Sequence, residues 1–311
     1  MNLDIDSIKS CDLCPRECYV DRTSSQRGWC GATDEIRISR AALHFWEEPP
    51  ISGADGSGAI FFSGCSLKCV FCQNSAISRG IAGETVSVSR LAKIMLELEQ
   101  QGANNINLVT PMHFAPHIRQ AVKLAKTHGL SIPIVCNTGG YEKASVVRSM
   151  SDIVDIWLVD FKYADSTLAQ NLSRASDYPE VCSSALREMV RVNRLQGGRV
   201  LDDNGIMQKG IIVRHLILPG HTDDSKHVLD EVLGIAGDEV DISLMNQYTP
   251  NAQCIEAGGK LSHKLSGSEY DEVLDYADDL GFKHIWWQED GTQSESFIPE
   301  FDLTGVLGDE L

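Results

Sequence analysis

The chain has 311 residues, of which 42% are hydrophobic and 23% charged, enough to bury a large core and to exclude a disordered protein. Its 27 basic and 44 acidic residues leave a net charge of −17, so there is no overall electrostatic footprint for nucleic acid or anionic lipid. No run approaches the roughly 20 apolar residues of a membrane span, and the acidic segment Met1 to Lys9 lacks the apolar stretch of a secretion signal; a cytoplasmic, enzyme-sized protein without a membrane partner is expected.

Residues 1–57 carry many turn formers and no strong period, and are expected to form a small Cys-rich metal-binding module. From residue 58 strand-like and helix-like segments alternate. Ala59 to Phe62 reads as a strand ending at Ser63-Gly64. Leu91, Ile94, Met95 and Leu98 recur at helical spacing within Arg90 to Gln101, with Ser89 as N-cap and Gly102 as C-cap. Ile106 to Val109 is the next strand and Pro116 to His128 the next helix, stopped by Gly129. Strands follow at Ile132 to Cys136, Ile153 to Phe161, Ile211 to Leu218 and Ile242 to Met245, with helices at Glu180 to Leu195, Ser225 to Ile235 and Ser268 to Leu280. Asp203-Asn204-Gly205, between Val200 and Ile206, reads as a hairpin turn. Residues 290–311 are acidic and weakly patterned, a surface tail or strap.

The strands are continuous apolar runs, as parallel strands covered on both faces require. Repeated strand–helix alternation predicts an α/β fold, here a partial (β/α)6 TIM-type barrel spanning 58–289. Polar residues cluster after the strand ends, at Thr110 and His113, Asn137 and Thr138, Asp160 and Lys162, and Asn246 to Tyr248. In βα barrels that rim is where sites are built.

Ten cysteines are unevenly placed. Cys65, Cys69 and Cys72 follow the first strand within eight residues, with no fourth cysteine nearby. A structural zinc site wants four ligands, whereas three thiolates on a cubane cluster leave one iron open. Cys11, Cys14, Cys18 and Cys30 supply four thiolates, enough to close either an iron–sulfur cluster or a zinc site. Cys136, Cys182 and Cys254 stand alone and are expected to be inert buried thiols.

Cys65-x3-Cys69-x-Phe71-Cys72 directly after the first strand of a βα series resembles the signature of the radical S-adenosylmethionine superfamily. The wider pattern, with Cys-Asp-Leu-Cys-Pro-Arg-Glu-Cys from Cys11, Gly28-Trp29-Cys30-Gly31, and Val159-Asp160-Phe161-Lys162, is similar to the pyruvate formate-lyase activating enzyme-like (PflX-type) subfamily. The resemblance implies that Cys65, Cys69 and Cys72 hold a [4Fe-4S] cluster whose open iron takes the amino and carboxylate groups of S-adenosylmethionine. One-electron reduction would then release a 5′-deoxyadenosyl radical that abstracts hydrogen from a substrate. It also implies a low-potential electron donor of the flavodoxin or ferredoxin type and raises a protein substrate, through glycyl-radical enzyme activation. Where activating enzymes carry Gly-Gly-Glu after the second strand, this chain has Thr110-Pro111-Met112-His113, so that cofactor contact must be made differently.

Phe71, Asn74, Thr110, Asn137, Asp160, Lys162, Arg214 and Gln247 are the cofactor-binding candidates, with Lys162 toward the cofactor carboxylate and the amides of Asn137 and Gln247 toward ribose or adenine. Arg214, within an apolar strand, needs an anionic partner, either the cofactor or an acidic side chain. His113 is the catalytic candidate, as substrate contact or proton donor, and His44 with Glu47 and Glu48 is placed to cap the cavity mouth. The competing reading is a non-catalytic iron–sulfur electron carrier or adaptor. It would need closed clusters and has no use for six βα units.

Overall fold

A computed structural model describes residues 3–80, 82–288 and 298–311; the first part of the expected C-terminal tail, 290–297, lies outside them. The strands are β1 (Ile36–His44), β2 (Ser57–Phe62), β3 (Glu84–Val86), β4 (Ile106–Val109), β5 (Ile134–Thr138), β6 (Ile156–Asp160), β7 (Val200–Leu201), β8 (Met207–Leu216), β9 (Asp241–Met245) and β10 (Ile285–Trp287). They form one sheet in the order β10-β9-β8-β6-β5-β4-β2-β1-β3, with β7 on β8. The run from β2 to β10 is parallel, and β1 and β3 extend it antiparallel beyond β2. The sheet ends at β3 and β10 rather than closing, so the fold is a partial barrel.

The six expected parallel strands are present, and all six residues of β2 are buried, which is why they read as unbroken apolar runs. A seventh, β10, is only three residues long. Helices cover the outer face, and Ser87 rather than Ser89 caps the helix Val88–Gln100 by accepting the N–H of Arg90. The hairpin forms as expected: Asp202 N–H donates to the Ile206 carbonyl at 2.9 Å.

The sheet runs across the expected boundary at residue 57. β1 pairs with β2 from Ile38↔Phe62 to His44↔Ser57, and Leu13, Cys30 and Ala32 pack in the same core as the strands. The Cys-rich segment is thus fastened to the barrel rather than hung from it. Between β1 and β2 the chain turns inward. Ile51 packs with Val135, Leu158 and Ile212, which by strand alternation share a face with Asn137, Asp160 and Arg214. It fills that face beneath them.

Residues 298–311 form a strap. The Leu303 N–H donates to the Ser39 carbonyl and Ala41 N–H to that of Thr304. Arg90, on the first long helix, donates to the carbonyls of Gly305, Val306, Leu307 and Asp309. Among the described residues no helix is long and apolar enough to cross a membrane.

Candidate active site

Parallel registry brings the strand ends together: Phe61 lies beside Val109, Val109 beside Asn137, Thr138 beside Val159, Asp160 beside Arg214 and Leu216 beside Met245. At this rim opens a cavity of about 250 Å³. Cys65, Cys69 and Cys72 line it together with all eight cofactor-binding candidates, Phe71, Asn74, Thr110, Asn137, Asp160, Lys162, Arg214 and Gln247. His44, Trp46 and Pro299 stand at its mouth.

The cysteine loop leaves β2 at Gly64, whose φ of +98° is open to glycine. A Cβ there would lie 2.8 Å from the Cys30 carbonyl oxygen and 3.2 Å from His113 Nε2. Within the loop Leu67 N–H donates to Cys65 Sγ at 3.3 Å, and Ser173 Oγ lies 3.0 Å from Cys69 Sγ. Burial, with the like charges of Cys69 and Cys72, pushes the Cys65 thiol up to about 12, so its thiolate needs a positive charge beside it. As placed, no three or more His, Cys, Asp or Glu side chains among the described residues stand in ion-holding geometry. The donor set nevertheless fits the cluster: three mutually coupled thiols face one cavity, and none lies near a fourth cysteine of its own loop. Phe71 is also part of the core, with its ring 6.4 Å from Tyr163 and 6.3 Å from Tyr248.

Opposite the loop is a charge network. Arg214 donates from Nε to Asp160 Oδ1 at 2.8 Å, from Nη1 to Glu47 Oε2 at 3.2 Å and from Nη2 to Asn137 Oδ1 at 2.8 Å. Glu48 Oε1 stands 3.8 Å from its Nε. Acidic side chains therefore answer the requirement for an anionic partner. Lys162 Nζ donates to Asp160 Oδ2 at 2.5 Å. Burial opposes ionisation of Asp160, but Arg214 and Lys162 outweigh it and hold the carboxyl below its usual range. Glu48 lies deeper; burial prevails over Arg214 there and raises it to about 7, and its Oε2 has no hydrogen-bond partner.

Thr110 has φ +56°, strained for a β-branched residue. It is held by its N–H, which donates to the Asn137 carbonyl at 2.8 Å. Gln247 is braced by Gln288, whose Nε2 donates to its Oε1 at 3.1 Å.

His113 does not line the cavity. Its Nε2 is 2.9 Å from the Ser63 carbonyl, its own carbonyl accepts from Arg22 at 2.6 Å, and burial lowers its pKa to about 3. It is a packing residue that joins β2 to the N-terminal segment, and the expected substrate contact gives way to that role. Cys11, Cys14, Cys18 and Cys30 also lie off the cavity, behind the loop, and the buried thiols Cys136, Cys182 and Cys254 do not line it either.

One wall residue escaped the sequence reading. Glu142 lines the cavity, is 5% exposed and accepts a hydrogen bond from Thr138 Oγ1 at 2.5 Å. Its signal was a carboxylate just past a strand end, behind Gly139-Gly140.

The fold and this rim define a radical S-adenosylmethionine architecture. The radical SAM superfamily profile matches residues 59–232, more than half of the chain, and the chain belongs to that superfamily; membership implies a [4Fe-4S] cluster and S-adenosylmethionine binding. An uncharacterized protein of Methanocaldococcus jannaschii is 27% identical over 286 residues, 90% of this chain and 77% of the relative. Two solved structures share the fold. A radical SAM methyltransferase from Sphaerobacter thermophilus superposes with a TM-score of 0.53 at 12% identity over 75% of this chain, and Streptococcus suis SuiB bound to S-adenosylmethionine with 0.50 at 14% over 73%. The match spans 66% and 49% of those two chains.

Proposed function

We propose that this protein is an enzyme that cleaves S-adenosylmethionine reductively at the Cys65–Cys69–Cys72 site and uses the resulting radical to abstract hydrogen from a substrate held in the same cavity. The observation that carries the reading is the convergence of three thiols, two cations, paired carboxylates and amides on one cavity at the strand ends. Cys65, Cys69 and Cys72 would hold the cluster, which when reduced would supply the single electron needed to split S-adenosylmethionine. Lys162 and Arg214 orient anionic groups, with Asp160 fixing both cations. Asn137, Asn74 and Gln247 offer amides to the nucleoside, and Thr110 presents backbone where its left-handed turn meets β5. The apolar wall of Phe61, Leu216 and Met245 excludes water. A non-catalytic carrier would have no use for such a cavity.

The motifs from Cys11 to Cys30 support a PflX-type relationship and a second metal at Cys11, Cys14, Cys18 and Cys30, and the radical reading brings with it a flavodoxin- or ferredoxin-type donor and a cytoplasmic setting. Anaerobic reconstitution with iron and sulfide, reduction with dithionite, addition of S-adenosylmethionine and detection of 5′-deoxyadenosine by mass spectrometry test the reading. Slow formation lost in Cys69→Ala is expected. A full, reducible cluster that neither binds S-adenosylmethionine nor cleaves it would overturn it.

A further inference from the structure

The backbone draws the N-terminal cysteines together: Cys11 N–H donates to the Val20 carbonyl and Tyr19 N–H to that of Cys11, both at 3.0 Å, and a Cβ on Gly28 would lie 2.8 Å from Cys18 Sγ. Each sulfur faces a donor. Trp29 N–H donates to Cys18 Sγ at 3.2 Å, Arg22 Nη1 stands 3.8 Å from Cys11 Sγ, and the backbone N–H groups of Arg16 and Ala32 serve Cys14 and Cys30. The same two-residue pattern recurs in the triad, from Leu67 to Cys65 and from Asn74 to Cys72. Sulfurs arranged to accept suit thiolates, since a thiol is itself a weak donor.

Arg22 points to an anion there. The residue is 1% exposed; besides that sulfur it bonds carbonyls of Thr33 and His113 and stands over the Phe114 ring at 5.6 Å, and no carboxylate pairs with it among the described residues. A buried cation left so is costly, and a metal bound by four thiolates supplies the missing negative charge.

The group also abuts the triad's loop. The Cys30 carbonyl packs on Gly64, which precedes Cys65. Arg16, two residues past Cys14, donates to the Ser66 carbonyl and to that of Ser173, each at 2.9 Å, and the Ser173 hydroxyl contacts Cys69. The Trp29 ring lies between Arg16 at 4.5 Å and Lys68 of the loop at 5.8 Å. The four cysteines sit behind the loop, off the substrate cavity, where a centre can pass electrons but cannot touch substrate.

We propose that Cys11, Cys14, Cys18 and Cys30 hold a [4Fe-4S] cluster that relays electrons to the cluster at Cys65, Cys69 and Cys72. An external one-electron donor of the flavodoxin or ferredoxin class is oxidised by one electron as the N-terminal cluster is reduced. That cluster then returns to its oxidised state as the triad's cluster gains the electron, with no bond made or broken. The relay rests on the radical reading of the triad; the metal at the N-terminal site does not.

The full chain, a Cys14→Ser/Cys18→Ser variant and a Cys65→Ala/Cys69→Ala/Cys72→Ala variant are reconstituted anaerobically with iron, sulfide and zinc present. Metal analysis should find about eight irons in the native chain and about four in each variant. The dithionite-reduced native protein should give an electron paramagnetic resonance spectrum broadened by interaction between two clusters, and each variant the narrow spectrum of one. About four irons and one zinc per native chain, with a zinc-loaded, iron-free triad variant, would overturn the proposal, as would two clusters without magnetic interaction. The triad variant leaves the N-terminal site intact, so the result stands even where the other variant misfolds. Interacting clusters without 5′-deoxyadenosine would refute the enzymatic reading alone, and zinc with 5′-deoxyadenosine the relay alone.

Discussion

Glu142 makes a sharp test of the cavity wall. Its carboxyl is buried with only Thr138 as a hydrogen-bond partner, and burial outweighs that bond to raise it from 4.5 to about 8. In the unfolded chain the group loses its proton first, so the unfolded state binds fewer protons between those two values and stability falls as pH rises through that window. At about 1.4 kcal/mol per pH unit, the gap amounts to about 5 kcal/mol of destabilisation above pH 8, most of it absent below 4.5. Glu142→Gln keeps the shape and an acceptor for Thr138 while removing the ionisation. Anaerobic urea unfolding should therefore show the variant and parent alike near pH 5, with the variant several kcal/mol more stable near pH 9. The infrared carbonyl stretch of a protonated carboxyl should be present at neutral pH in the parent and reduced in the variant. Parallel stability curves at every pH, with no change in that band, would refute the argument that a neutral carboxyl lines this cavity.

Arg214→Met leaves Asp160, Glu47 and Glu48 without their shared cation and should cost about 3–5 kcal/mol; a loss under 1 kcal/mol in chemical denaturation would show that the network is solvated. Gly64→Ala forces a Cβ against the Cys30 carbonyl at a φ of +98° and should cost about 1–3 kcal/mol while lowering iron retention at both cysteine sites, read by metal analysis. Arg90→Leu strips the strap of the side chain that binds four of its carbonyls. It should lower the melting temperature and speed proteolysis within 298–311, and an unchanged cleavage pattern would count against the strap.

Much of the barrel could be read from sequence because parallel strands buried on both faces are written as unbroken apolar runs, and Ile106–Val109 was placed to the residue. The elements missed have other signatures. β1 alternates only over Ile36-Arg37-Ile38 before its register shifts at buried Ser39, and it sits beside a cysteine-rich stretch whose turn formers mask it. β3 and β10 are three residues each, too short to carry a period. Ser87 and Ser89 flank Val88 and are equally good cap residues by type; which one caps depends on where the chain leaves β3. The candidate site was legible to the extent that polar residues at strand ends share a rim. His113 was not, because only the packing of Arg22 and Ser63 around it shows that its ring and carbonyl are already engaged. Glu142 stayed hidden for the converse reason: burial, a tertiary property, is what makes that carboxylate distinctive.

A chain with a net charge of −17 does not carry that excess into its cavity. Lys162 and Arg214 face the carboxylates of Asp160 and Glu47, two cations against two anions. The remaining two acids of this region, Glu48 and Glu142, are raised by burial to about 7 and about 8, so both give up much or all of their charge at neutral pH. The wall is thus nearly balanced and can shift by one or two charges without rearranging, because its least stable anions are the ones that take up protons. On the proposed reading the site holds a sulfonium cofactor and loses that positive charge on its cleavage, a change that protonatable acids accommodate better than fixed ion pairs. Fixed pairs would have to pay the whole desolvation cost of each imbalance. Acidic residues elsewhere are free to stay on the surface, where water screens them.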